Sequence, residues 1–160
     1  MTTTRRRVLG RRVLPWLAAW LGLRAAIALT GWLVGRRVDM GDESTASIRR
    51  TRTVGSLYLR PRHPHLARVR LDLVLAGGEL DLTGVPRVDG GIDVTVHLVL
   101  AGLAVRLPAG TTVWWNAHGA GGIGITEGAP VVRTDDERGA DVRIHGRLWF
   151  SGLGVEGPAA

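Results

Sequence analysis

Five short phrases in this chain share one pattern: an apolar residue, a small residue, Gly or Ser, a variable site, any residue, then an apolar residue. They are Val54-Gly-Ser-Leu-Tyr-Leu59, Leu75-Ala-Gly-Gly-Glu-Leu80, Leu100-Ala-Gly-Leu-Ala-Val105, Ala120-Gly-Gly-Ile-Gly-Ile125 and Phe150-Ser-Gly-Leu-Gly-Val155. Their third positions are 56, 77, 102, 122 and 152, so successive phrases lie 21, 25, 20 and 30 residues apart. A repeat of this length is one supersecondary unit that buries its apolar face only by stacking on its neighbours.

Alternating strands precede the later phrases. Ile92-Asp-Val-Thr-Val-His-Leu98 is the clearest, with Val69–Leu75 and Val142–Leu148 beside it. Period-2 alternation reads as a half-buried strand. Each unit is therefore strand, small-residue bend, strand, loop. Gly55, Gly77, Gly78, Gly102, Gly121, Gly122 and Gly152 are the structural bends, where glycine permits positive φ or close backbone approach between units. The expected fold is all-β, a short right-handed β-solenoid of about five such units. A β-sandwich is the alternative that the same alternation allows.

The charge is uneven. Residues 1–38 hold eight Arg and no acid, whereas residues 39–160 hold 13 Arg against all 14 acids. The body is thus close to neutral, which argues against a nucleic-acid-binding fold. The basic excess instead flanks an apolar run at 13–35. As a helix that run is about 34 Å long, against a hydrocarbon core of about 30 Å. Trp16, Trp20 and Trp32 lie toward its ends, as interfacial aromatics do. Arg24 near its centre costs about 3 kcal/mol, which the apolar residues offset. The reading is a single membrane-spanning anchor in contact with lipid. An amphipathic helix lying in the interface and a cleaved signal peptide are the alternatives. Arg counts before and after the run place the N-terminus in the cytoplasm of a bacterial cell. The domain plan is a basic N-terminus and anchor at 1–38, a linker at 39–50, a repeat β domain at 51–157 and a tail at 158–160.

Sites for chemistry are scarce. The chain has no Cys, and its basic residues are all Arg. That excludes thiol nucleophiles, thiolate metal sites, P-loops and lysine Schiff bases. Gly119-Ala-Gly-Gly-Ile-Gly124 matches G-x-G-x-x-G, but Ile125-Thr-Glu-Gly-Ala-Pro130 opens no helix, so no dinucleotide cofactor is expected. His63-Pro-His65 and the scattered His97, His118 and His145 read as exposed histidines rather than metal ligands. Asp72, Asp81 and Asp93 read as outward carboxylates pairing with Arg70, Arg106 or Arg143. No catalytic residue, cofactor or metal is assigned, and the chain is read as a non-enzyme. Trp114 and Trp115 are adjacent on a strand, so one faces the core and the other is a candidate partner contact.

The Leu75–Leu82 (LAGGELDL), Leu100–Pro108 (LAGLAVRLP) and Phe150–Glu156 (FSGLGVE) phrases, with Gly41-Asp-Glu-Ser44 ahead of them, resemble the C-terminal domain of LiaF-like proteins, the cell-wall-active antibiotic response family. The resemblance covers roughly 41–157. It implies a non-enzymatic accessory role in envelope stress signalling beside a membrane sensor protein. The alternative function is a self-assembling β-helical scaffold at the membrane, a homo-oligomer built through open strand edges.

Overall fold

In the computed structural model the described residues are 38–126 and 130–158, together with Trp20, Gly22, Ala26 and Leu29, four helical positions of the N-terminal run. The spanning anchor expected at 13–35, with Trp16, Arg24 and Trp32, otherwise lies outside them. Among the described residues no helix is long and apolar enough to cross a membrane.

Among the described residues nine strands carry the fold: β1 Ser47–Arg52, β2 Gly55–Leu59, β3 Arg68–Val74, β4 Ala76–Asp81, β5 Ile92–Val99, β6 Gly102–Arg106, β7 Thr111–Ile125, β8 Val131–Arg133 and β9 Val142–Glu156. Every pairing between these strands is parallel. An antiparallel sandwich is therefore not formed. The fold is all-β and solenoid-like, with two arms per unit stacked on the arms of the next. β1 begins at Ser47, inside the stretch the sequence assigns to a linker. Its alternation is hidden because Ile48 is the only apolar residue among three Arg.

The units do not stack in chain order. β5 pairs with the first half of β9, and β6 with its second half. β7 then pairs along the far side of β9. In space the fifth unit thus lies between the third and the fourth, and the fourth forms one end of the stack. The short β8 covers only Thr111–Val113 of that end strand.

Alternation fills the core in columns. Ile48, Val69, Val94, Ile144 and Trp115 lie in register across the first arms. Leu73, Leu98 and Leu148 form a second column, each with no solvent exposure. On the second arms Leu59, Leu80, Val105, Val155 and Ile125 stack likewise. Parallel in-register strands place like residues directly over one another about 4.8 Å apart, so apolar columns make a continuous core. Gly78 falls inside this core because a Cβ there would meet Leu73 Cδ1 at 2.9 Å and Leu103 Cδ1 at 3.0 Å. Gly119 is fixed twice over. Its φ is +113°, and a Cβ would collide with the Leu148 carbonyl.

Candidate interaction surface

The corner between the two arms is the most unusual surface of the molecule. Alternation would turn Leu73 inward, Val74 outward and Leu75 inward again. Instead Leu75 adopts φ +50°, and Ala76 takes the inward place at 6 % exposure. Leu100 and Phe150 do the same at φ +49° and +48°. Left-handed backbone costs a residue with a Cβ about 1 kcal/mol or more. At these corners it rotates a large apolar side chain out of the stack.

The register aligns these corners. Gly55, Ala76, Ala101 and Ser151 are equivalent, so Val54, Leu75, Leu100 and Phe150 precede them in one column. All four are exposed, Phe150 at 75 %. Beside them runs a second column, Val74, Val99 and Trp149. The amide of Leu75 donates to the Val99 carbonyl and that of Leu100 to the Trp149 carbonyl, both at 2.9 Å, which locks the corners to one another. The result is an apolar ridge crossing four units, about 14 Å long at the inter-strand spacing.

The outer face of the first arms is polar. Asp72 is its hub: Arg49 Nη2 and Arg70 Nε approach at 3.3 Å, and His97 Nδ1 at 2.9 Å. Arg143 donates to Asp93 at 2.6 Å. Arg106 differs from the expected carboxylate partners in its row, because it contacts Glu79 at 2.8 Å and Glu156 at 3.4 Å. Toward β7 a shallow groove of about 200 Å3 is lined by Thr95, His97, Asn116, His118, His145 and Arg147. Among the described residues no group of three His or carboxylate side chains is placed to hold a metal ion. His63 and His65 stand edge to face with ring centres 6.1 Å apart.

Asp81 departs from its expected outward position: it is buried. The cause is local. Thr83 donates to its Oδ1 through hydroxyl (2.6 Å) and amide (2.9 Å), and Arg60 closes on Oδ2 at 3.2 Å. Burial works against its ionisation, but the Thr83 bonds, with Arg60 and Arg106, outweigh that and hold the carboxyl below its usual range. A carboxylate whose folded pKa is depressed contributes stability above its unfolded pKa of about 4, and loses it as pH falls through the folded value. Asp81→Asn is therefore expected to lower stability by about 1–3 kcal/mol at pH 7. In urea melts the gap from the parent chain should narrow below pH 4, and a gap that is constant with pH would refute the ionised role.

The expected bend glycines fall around the corners. Gly55 takes positive φ, at +105°. Gly78 and Gly121 sit where a Cβ meets neighbouring units, whereas Gly77, Gly102, Gly122 and Gly152 have open space and ordinary φ. The G-x-G-x-x-G phrase of 119–124 lies within strand β7. Trp115 packs against the core beneath the Arg133 guanidinium, 4.6 Å from its ring centre. Trp114 lies on the other face, against His145 with ring centres 5.4 Å apart. Trp20 is exposed. The corner residues were not singled out in the sequence, although the first position of each repeated phrase marks them.

No family model matches the chain, and neither does any curated protein or solved structure.

Proposed function

We propose that this chain is a membrane-anchored, non-enzymatic interaction module of the bacterial envelope, in which the apolar corner ridge docks a membrane sensor protein and adjusts a stress response. The observation that carries the reading is the choice of residue at the corners. Gly would occupy the left-handed conformation without cost, and Asn with less cost. Leu75, Leu100 and Phe150 occupy it instead and expose their side chains. Fold stability gains little from the exposed part of these side chains, which leaves them to something that binds them. The Arg-flanked run at 13–35 supplies the anchor, with the N-terminus inside and the β domain outside, and the solenoid winds right-handed, as parallel crossovers do.

The test separates binding from folding. A Leu75→Asn/Leu100→Asn/Phe150→Asn variant should melt at or above the parent temperature, because corner strain is relieved at three sites. In cells the same variant should lose the parent's effect on an envelope stress reporter. It should also lose a photo-crosslink from position 99 to an integral membrane protein. A reporter unchanged by the triple variant would sink the proposal.

A further inference from the structure

The two ends of the stack are finished differently. At the β1 end, Met40 and Arg49 exchange backbone hydrogen bonds of 2.8 and 3.0 Å in an antiparallel bridge. The Thr51 amide donates to Asp39 Oδ1 at 2.7 Å, and the Arg50 guanidinium to the Gly41 carbonyl at 2.8 Å. Residues 39–41 thus close that edge, and three Arg in β1 repel a further strand.

The β7 end has such a cover only at its start, where β8 pairs with Thr111–Val113. Thr111–Ile125 is a 15-residue strand with no charged residue and no Pro. β8 shields Thr111–Val113, and from Trp114 onward no described strand lies on its outer side. The core is also incomplete there. Ile123 and Ile125 point into the stack but stay only partly buried, with no further described strand over them, and Trp115 beside them is covered by the Arg133 guanidinium alone. Repeat proteins normally finish with a polar capping unit, and exposed edges normally carry charge, Pro or a covering segment. An uncharged edge beside an unfinished core is a surface shaped for a strand and its apolar side chains.

We infer that the occupant is a second copy of this chain, joined β7 to β7 about a two-fold axis through Ala120. The open length runs from Trp114 to Ile125 and is centred on the bend at Gly119–Gly121, where the register to β9 shifts. A two-fold axis through that bend exchanges the arms, so residues 114–119 of one copy run antiparallel to 121–126 of the other. The inward side chains of both arms are odd-numbered, as pairing of like faces requires. Ile125 of the second copy then lies against Trp115 and the Arg133 guanidinium over its ring, and Ala117 covers Ile123. On the outer face Asn116 meets Gly124, and no like charges oppose one another. The β1 end is closed, so the contact is isologous and ends at a dimer rather than growing into a filament.

The absence of native Cys makes the test clean. In the full chain in detergent micelles, Ala120→Cys should form an intermolecular disulfide under mild oxidation, because residues on the axis lie within bonding reach. Arg52→Cys, at the other end, should not. Asn116 is exposed and Gly124 has open space, so both accept a long side chain. Asn116→Lys/Gly124→Lys sets Lys against Lys twice, and should weaken the dimer about tenfold or more in analytical ultracentrifugation. Asn116→Glu/Gly124→Glu should do the same, and mixing the two variants should restore a heterodimer. That rescue also shows that both variants fold. Failure of Ala120→Cys to crosslink, dimerisation unchanged by the Lys pair, no rescue on mixing, or polymers above the dimer would each overturn the inference.

Discussion

Truncation after Arg138 is expected to dissolve two units, not one. In a solenoid stacked in chain order, removing the last unit exposes the one before it and leaves that unit paired on its other side. Here the last unit is spatially internal. β7 meets β9 along Val113–Ile125, and its only other strand partner among the described residues is the three-residue β8. Loss of β9 removes the ladder of β7 and also uncovers the Val94 and Leu98 columns, which sit against Ile144 and Leu148. Amide exchange reads this directly. Residues 111–125 should exchange at close to unfolded rates in the truncated chain, 92–106 should quicken, and β3 should keep part of its protection. If β7 stayed protected, it would have moved onto β5 and β6, and the unit order would not be specified by the residues argued next.

Those residues are charges. Asp93 is opposite Arg143 in register, and Arg106 opposite Glu156. Both pairs are in contact, at 2.6 and 3.4 Å. With the fourth unit in that place, the β7 residue that aligns with Arg143 is Trp114. Asp93 would then face an indole, and Arg106 would face an uncharged neighbour. Backbone ladders are nearly indifferent to which unit sits where. Two cross-strand charge pairs, each about 0.2–1 kcal/mol, favour this order, Asp93–Arg143 more than Arg106–Glu156 because Arg106 also holds Glu79 at 2.8 Å. The same choice sends β7, a strand without Arg, Asp or Glu, to the end of the stack.

This explains what the sequence made legible. Period-2 alternation in Ile92–Leu98 and Val142–Leu148 identified strands and their inward residues, because burial depends only on local parity. The repeated small-Gly phrase identified the corners. It did not identify which residue turns, since left-handed conformation fell on Leu75, Leu100 and Phe150 while most of the expected glycines kept ordinary φ. A backbone-driven reading assigns positive φ to Gly, whereas here three large apolar residues take it and aim their side chains outward. Asp81 was misplaced for a related reason: its position in the alternation is polar, but Thr83 two residues on supplies a local cradle that makes burial tolerable. Unit order was readable in principle from the Asp93–Arg143 and Arg106–Glu156 complementarity, which requires comparing units with each other rather than reading along the chain.

Leu98→Ala is expected to be the most damaging single truncation, and its contrast with Ile123→Ala tests the stack as a whole. Leu98 has no exposed surface, and Leu73 and Leu148 flank it in register on both sides. A cavity there cannot collapse without shifting two ladders, so the cost should be near 3 kcal/mol within the usual 2–5. That is a large part of the total for a domain of this size. Ile123 sits at the unfinished end with one covered side. Its truncation removes less buried surface, and about 1–2 kcal/mol is expected in an isolated chain. If a second copy covers that end, the Ile123→Ala cost must grow with protein concentration, because part of the lost burial belongs to the interface. Leu98→Ala must cost the same at every concentration. Denaturant midpoints at two concentrations a hundredfold apart distinguish the cases: parallel behaviour of both variants means the end is bare in solution, and divergence confined to Ile123→Ala means the core is completed between two chains.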